Sequence, residues 1–178
     1  MLGKLYKKWV CKDDGVTAVE FSLLLAPYMV LVLGIIEVSM MFLSANLLEG
    51  ATNSAARLIR TGELQQSGQA PQDVFRTALC NYEMVFVNCN DITVEVQTLG
   101  GTFGNFNLAA PQFDADGNLV SGGVDPGGAN DRVLIRTAVR YDMMTPIVGS
   151  LLSGGTGSKL FMSTIVLQSE PFDFNGAT

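Results

Sequence analysis

The sequence predicts an α+β protein in which one long N-terminal helix crosses a membrane and a small exported domain follows, built on a mostly antiparallel sheet. Three observations carry this reading. Lys4, Lys7, Lys8 and Lys12 crowd the start of the chain, opposed only by Asp13 and Asp14. An apolar stretch then runs from Phe21 to Leu48, broken only by Glu37. Beyond it lie ITVEVQT, RVLIRTAVRY and KLFMSTIVLQS, three runs in which alternation and β-branched residues dominate.

Composition sets the bounds. The 178 residues suit one domain with an appendage, and 48% apolar against 16% charged is greasy for a soluble protein. From Val16 onward there are seven basic and fifteen acidic residues, a net charge of −8. Lysines ahead of a first span hold that end in the cytoplasm, so the remainder is expected outside. Its acidity argues against nucleic acid as a partner, since that needs basic faces.

The apolar stretch spans 28 residues, about 42 Å as helix, against a hydrocarbon core of about 30 Å. That is too long for a cleaved secretory signal and ample for a span. A plain anchor leaves its glutamates unexplained, because a carboxylate near the bilayer centre costs a few kcal/mol and is usually partnered. Glu20 stands five residues past Gly15. A cut after Gly15 would give Val16 a free, largely protonated amine and make Glu20 the fifth residue of the mature chain. Helices staggered along their axes could then pair one chain's Glu20 with another's new amine.

A short basic leader ending in glycine, followed by an apolar helix with glutamate fifth, is the prepilin signature. GVTAVEFSLLLAPYMVLVLGIIEVSMMF, followed by AARLIRTGEL, resembles the TadE-like minor pilins (pseudopilins) of the tight-adherence, or Flp, type IV pilus system. The later LC…C spacing and the terminal SEPF resemble it more weakly. The resemblance implies a pilin-like fold and cutting by a prepilin peptidase between Gly15 and Val16. It divides the chain into a cytoplasmic leader (1–15), a long helix holding the span (16–62) and a periplasmic α+β domain (63–178). Implied partners are other pilin and minor pilin subunits, the prepilin peptidase, the inner-membrane assembly platform and the lipid bilayer. Implied localisation is the inner membrane, crossed once, or the extracellular pilus itself. Major Flp pilins usually carry tyrosine after the glutamate and are very short. Phe21 and the length of this chain point to the minor branch. Glu20, Phe21 and Glu37 are the expected assembly residues. Glu37 lies seventeen residues past Glu20, on a different helix face, where it meets another neighbour or marks the far interface.

Within the helix, Pro27 lacks an N–H and is expected to bend or loosen the chain near Leu23. Ala18, Ser22 and Ala26 offer a smooth ridge for another helix. Arg57 and Arg60 suit the negative end of the helix dipole, and Gly62 is a ready stop.

In the domain, QQSGQAP (65–71) reads as a linker and PQDVFRTALCNYEMVF as a second helix, with Val74, Ala78, Leu79 and Tyr82 along one side. The middle strand alternates Arg136 and Arg140 with Ile135, Thr137 and Val139, so one face is expected to be wet. TPIVGSLL reads as a short helix with Thr145 as cap and Pro146 in its first turn. Residues 99–131, rich in glycine and asparagine, read as an exposed loop of the kind that carries contacts. Asp114, Asp116 and Asn118 alternate as calcium ligands do, but a hairpin turn at Asp116-Gly117 explains the same letters more simply.

Of three cysteines, Cys11 would leave with the leader. Cys80 and Cys89 remain, and an even pair in an oxidising compartment suits a disulfide. Closing a loop of about ten residues is worth about 2.7 kcal/mol on the chain-entropy model. No metal or other cofactor is expected: there is no histidine, and two cysteines nine apart match no zinc pattern. Without histidine there is no Ser/His or Cys/His arrangement, and no carboxylate pair sits in a catalytic motif, so an enzyme is not expected. Two functions stand against each other. One is a minor pilin that initiates or tips pilus assembly; the other is a periplasmic sensor or binding domain on an uncleaved anchor.

Overall fold

The computed structural model describes residues 15–82, 87–100 and 110–172. The expected leader with Cys11, the end of the expected second helix (83–86) and the first part of the glycine-rich loop (101–109) lie outside the described residues.

The helix α1 runs unbroken from Val16 to Arg60, straight through Pro27. At its end Thr61 donates to the Arg57 carbonyl, and Gly62 turns the chain out with φ 78°, in the left-handed region that glycine enters freely. Two sections of α1 differ in character. Residues 15–31 are all exposed. From Glu37 onward a stripe is buried, comprising Glu37, Ser44, Leu48, Ala51, Thr52, Ala55, Ala56 and Ile59. Steps of three, four and seven keep these residues on one face. The small side chains among them, Ser44, Ala51, Thr52, Ala55 and Ala56, let a sheet approach the helix closely.

A short helix, α2 (Glu63–Gln66), follows, and α3 occupies Pro71–Cys80 with Pro71 in its first turn. Part of the expected linker is thus ordered: Gln65 donates to the carbonyls of Ile59 and Pro126, and Leu64 is buried. Phe75 and Leu79 are the residues α3 buries, with Val74 and Ala78 packed beside them. Tyr82, expected on that side, is partly exposed and lies over Gly50.

The sheet has four strands in the order β2-β1-β3-β4, namely β1 (Thr93–Leu99), β2 (Gly123–Val124), β3 (Arg132–Asp142) and β4 (Ser158–Gln168). The β1/β3 and β3/β4 pairings are antiparallel, and the two-residue β2 joins β1 in parallel. One face packs on the α1 stripe: Val133, Ile135 and Val139 join Leu48, Ala51, Ala55 and Ile59 in the core. Thr52 and Thr137 share a hydrogen bond of 2.5 Å across that contact. Along β4, Phe161–Thr164 lie beside Ala45–Glu49, and Ile165–Leu167 lie beside Asn53–Arg60. Helix and strand thus run side by side from Ala45 to Arg60, about 23 Å.

The second face of β3 is not wet. Leu134, Arg136 and Ala138 are as buried as their neighbours. Residues 110–131, expected to form an open loop, fold over this face instead. Arg136 pairs with Glu95, its direct cross-strand partner, at 3.0 Å, and both side chains are almost fully buried. Gln97 bonds the other oxygen of Glu95. Arg140 reaches Asn118, the Asp116 carbonyl and Ser158. The neighbouring strand β1 supplies the partner of Arg136 and the covering segment those of Arg140, which alternation along one strand cannot reveal. Within it the hairpin turn is present. Asp114 accepts from the N–H groups of Asp116 and Asn118 and from the Asn118 amide, and these bonds hold its carboxyl below the usual range.

A disulfide joins Cys80 to Cys89, whose Cα atoms stand 5.6 Å apart, tying the end of α3 to the turn that leads into β1. The last helix, α4 (Pro146–Ser153), connects β3 to β4.

Candidate functional site

The site lies on α1, and it has an outer and an inner part. The outer part is an apolar rod. Leu23, Leu24, Tyr28 and Leu31 all stand more than half exposed, and residues 15–31 are exposed throughout. The helix is long and apolar enough to cross a membrane. Gly15 occupies the cap position, with open space where a side chain would be. Val16, Glu20 and Phe21 follow on the bare rod. Among the described residues Glu20 has no bonding partner, and a rod that buries its apolar face nowhere within its own chain leaves that face for lipid or for other helices.

The inner part is built around Glu37. Its carboxylate is buried and accepts three hydrogen bonds of 2.9 Å each: Met144 N–H to Oε1, and Thr145 N–H and hydroxyl to Oε2. These donors sit just ahead of α4. Thr145 holds the cap position, but its hydroxyl does not cap the helix; it turns to Glu37. Tyr141 directs its buried hydroxyl at the same carboxylate without reaching hydrogen-bond geometry. Burial first, and the Glu37 charge second, raise the Tyr141 pKa above its ordinary value of 10.0.

Gly149 explains how closely α4 seats. A Cβ there would collide with the Met143 side chain, so the helix folds back against the chain that enters it. Val148 reaches Gly34 of α1, and the groove between the helices is lined by Leu31, Gly34, Ile35, Val38, Val148 and Leu152, with Ser39 as its one polar side chain.

The sequence placed Glu37 on a face away from Glu20 and left open another neighbour or the far interface. Its hydrogen-bond partners belong to the same chain, and its face is the one that carries Ser44 and Ala51, seven and fourteen residues on. Thr145, Met144 and Tyr141 were not singled out as its partners. The seven-residue repeat was the available signal, hidden because Glu37 sits where the span and the packed stripe overlap.

A protein-family model described as "TadE-like protein" matches residues 15–57. Over this segment the chain is similar to the TadE-like family. The match runs along α1 from its cap to its last turn, and so covers both the bare rod and the Glu37 stripe. It takes in less than a quarter of the chain. No curated protein and no solved structure matches. The TadE-like family is associated with the Tad pilus and is not an enzyme family. The bare apolar rod fits a single-pass membrane anchor.

Proposed function

We propose that this TadE-like chain is a minor pilin: cut between Gly15 and Val16, held in the inner membrane by α1, and required to initiate or tip a tight-adherence pilus. The observation that carries this reading is the lone carboxylate of Glu20 near the start of a wholly exposed apolar rod. Cleavage creates the cation that such a carboxylate lacks. A neighbouring subunit staggered along the axis brings its Val16 amine to Glu20, and in low-dielectric surroundings that pairing sets the register. Phe21, on the bare rod beside it, offers an aromatic surface to the next helix. The pilin partners, the peptidase and the assembly platform then act on the rod, while the domain stands in the periplasm.

N-terminal sequencing of protein extracted from membranes that contain the peptidase is expected to begin at Val16. A start at Met1 or Leu2 favours a sensor or binding domain on an uncleaved anchor. Glu20→Gln is expected to leave insertion and cutting intact and to abolish pili and the co-purification of pilin partners. Normal pili from processed Glu20→Gln protein would reduce the glutamate to a bystander.

A further inference from the structure

Sixteen consecutive residues, Met143 to Ser158, carry no charge, although they lie outside the first apolar stretch and in an otherwise acidic domain. They include α4, and α4 is apolar on both sides. Val148 and Leu152 face α1, whereas Met144, Ile147 and Leu151, spaced three and four apart, are 60%, 68% and 76% exposed. A helix that is apolar all round is stable where neither side meets water.

Height along α1 decides what the outer side meets. From Val16 to Glu37 is about 32 Å of helix, close to one hydrocarbon thickness of about 30 Å. With that section in the membrane, Glu37 lies where α1 emerges. The Glu37 carboxylate fastens the start of α4 at that level, and the contact of Val148 with Gly34 places the next turn about 4–5 Å deeper. This is the depth of a helix lying in the boundary between acyl chains and headgroups. Its exposed apolar face is continuous with the lipid-facing surface of α1 at Leu31 and Ile35.

We propose that α4 is a second membrane contact, a monotopic helix whose Ile147 and Leu151, with Met144 just ahead of it, lie in the outer leaflet of the bilayer that α1 crosses. The proposal rests on the reading of α1 as a span. Two contacts joined by the Glu37 clamp fix both the tilt and the rotation of the domain on the membrane. Gly154–Gly157, without charge or bulk, return the chain from the lipid to β4.

Tryptophan quenching by brominated phosphatidylcholine tests it in the full chain. Trp9 is replaced by phenylalanine, so that each introduced tryptophan is the only one. Leu24→Trp marks the span, Ile147→Trp and Leu151→Trp mark α4, and Gln69→Trp marks the far end of the domain. In vesicles brominated high on the acyl chain, emission from the Ile147→Trp and Leu151→Trp proteins is expected to fall to about half or less of that in unbrominated lipid. Bromines near the chain end should quench both proteins less, and Gln69→Trp should not respond. Quenching of Leu24→Trp with no quenching at either α4 position would overturn the proposal and assign that face to water or a protein partner. An unquenched Leu24→Trp would instead remove the span reading beneath it.

Discussion

Glu37 shows how one carboxylate can serve a helix it does not belong to. Three donors converge on it, and two of them are backbone N–H groups. Glu37→Gln keeps the size but offers one oxygen and a misplaced NH₂. Stranding a buried donor costs about 1–3 kcal/mol. The variant is therefore expected to unfold at lower temperature in detergent and to speed hydrogen exchange at Met144 and Thr145. Unchanged exchange at both would mean that the clamp contributes nothing. Tyr141 supplies a pH readout at the same spot. Its folded-state pKa is raised above 10.0, so its contribution is fully present below pH 10 and is lost as pH climbs through the folded value. Tyr141→Phe is expected to remove one late-ionising phenol from the alkaline absorbance titration and to flatten the loss of stability above pH 10. The sequence made Glu37 visible as an anomaly but not its partners, because 107 residues separate it from Met144 and no local pattern spans such a gap.

At the level of elements, the strands were legible because alternation and β-branching are local signals; β1, β3 and β4 lie where those signals put them. The terminus of α1 was legible for the same reason, since Gly62 marks it chemically. What lay over the second face of β3 was not legible. Arg136 and Arg140 look the same in a sequence whether water or a folded-over segment meets them. That covering makes a prediction. Arg136→Met strands the Glu95 carboxylate in the interior, at a cost of about 3–5 kcal/mol. Replacing Glu95 by leucine as well is expected to recover most of that loss, as read from denaturant midpoints. A double variant no better than the single would show that the pair is solvated after all.

On the scale of the whole molecule, one axis organises everything described. The bare apolar section of α1 gives way to the packed stripe at Glu37, the sheet stands along the rest of α1, and the far end is closed by the last described residues. There the Glu170 N–H donates to the Arg60 carbonyl, and the Phe172 ring lies within 2.5 Å of where a Gly62 Cβ would be. Gly62→Ala meets both obstacles, a left-handed backbone worth about 1–2 kcal/mol and the Phe172 ring. It is expected to lower the melting temperature and to expose the chain after Gln168 to limited proteolysis. A tail that stays protected would place its anchorage elsewhere. Arg57 and Arg60 stand at this distal end, with Arg60 about 35 Å along α1 from Glu37. That distance favours their role at the helix dipole over contact with lipid headgroups.

The side-by-side run of α1 and β4 also has a consequence in time. The apolar stripe of α1 is synthesised before β4, which packs beside it. From Arg60 to Gln168 is 108 residues, about 5–20 s of synthesis. For that interval α3 and β3 can already reach the stripe from Leu48 to Ile59, but the side of it that β4 will meet is bare. A newborn molecule therefore passes through a stage in which one side of its own helix is an open seat for any passing strand, and α1 must wait for β4 to fill it.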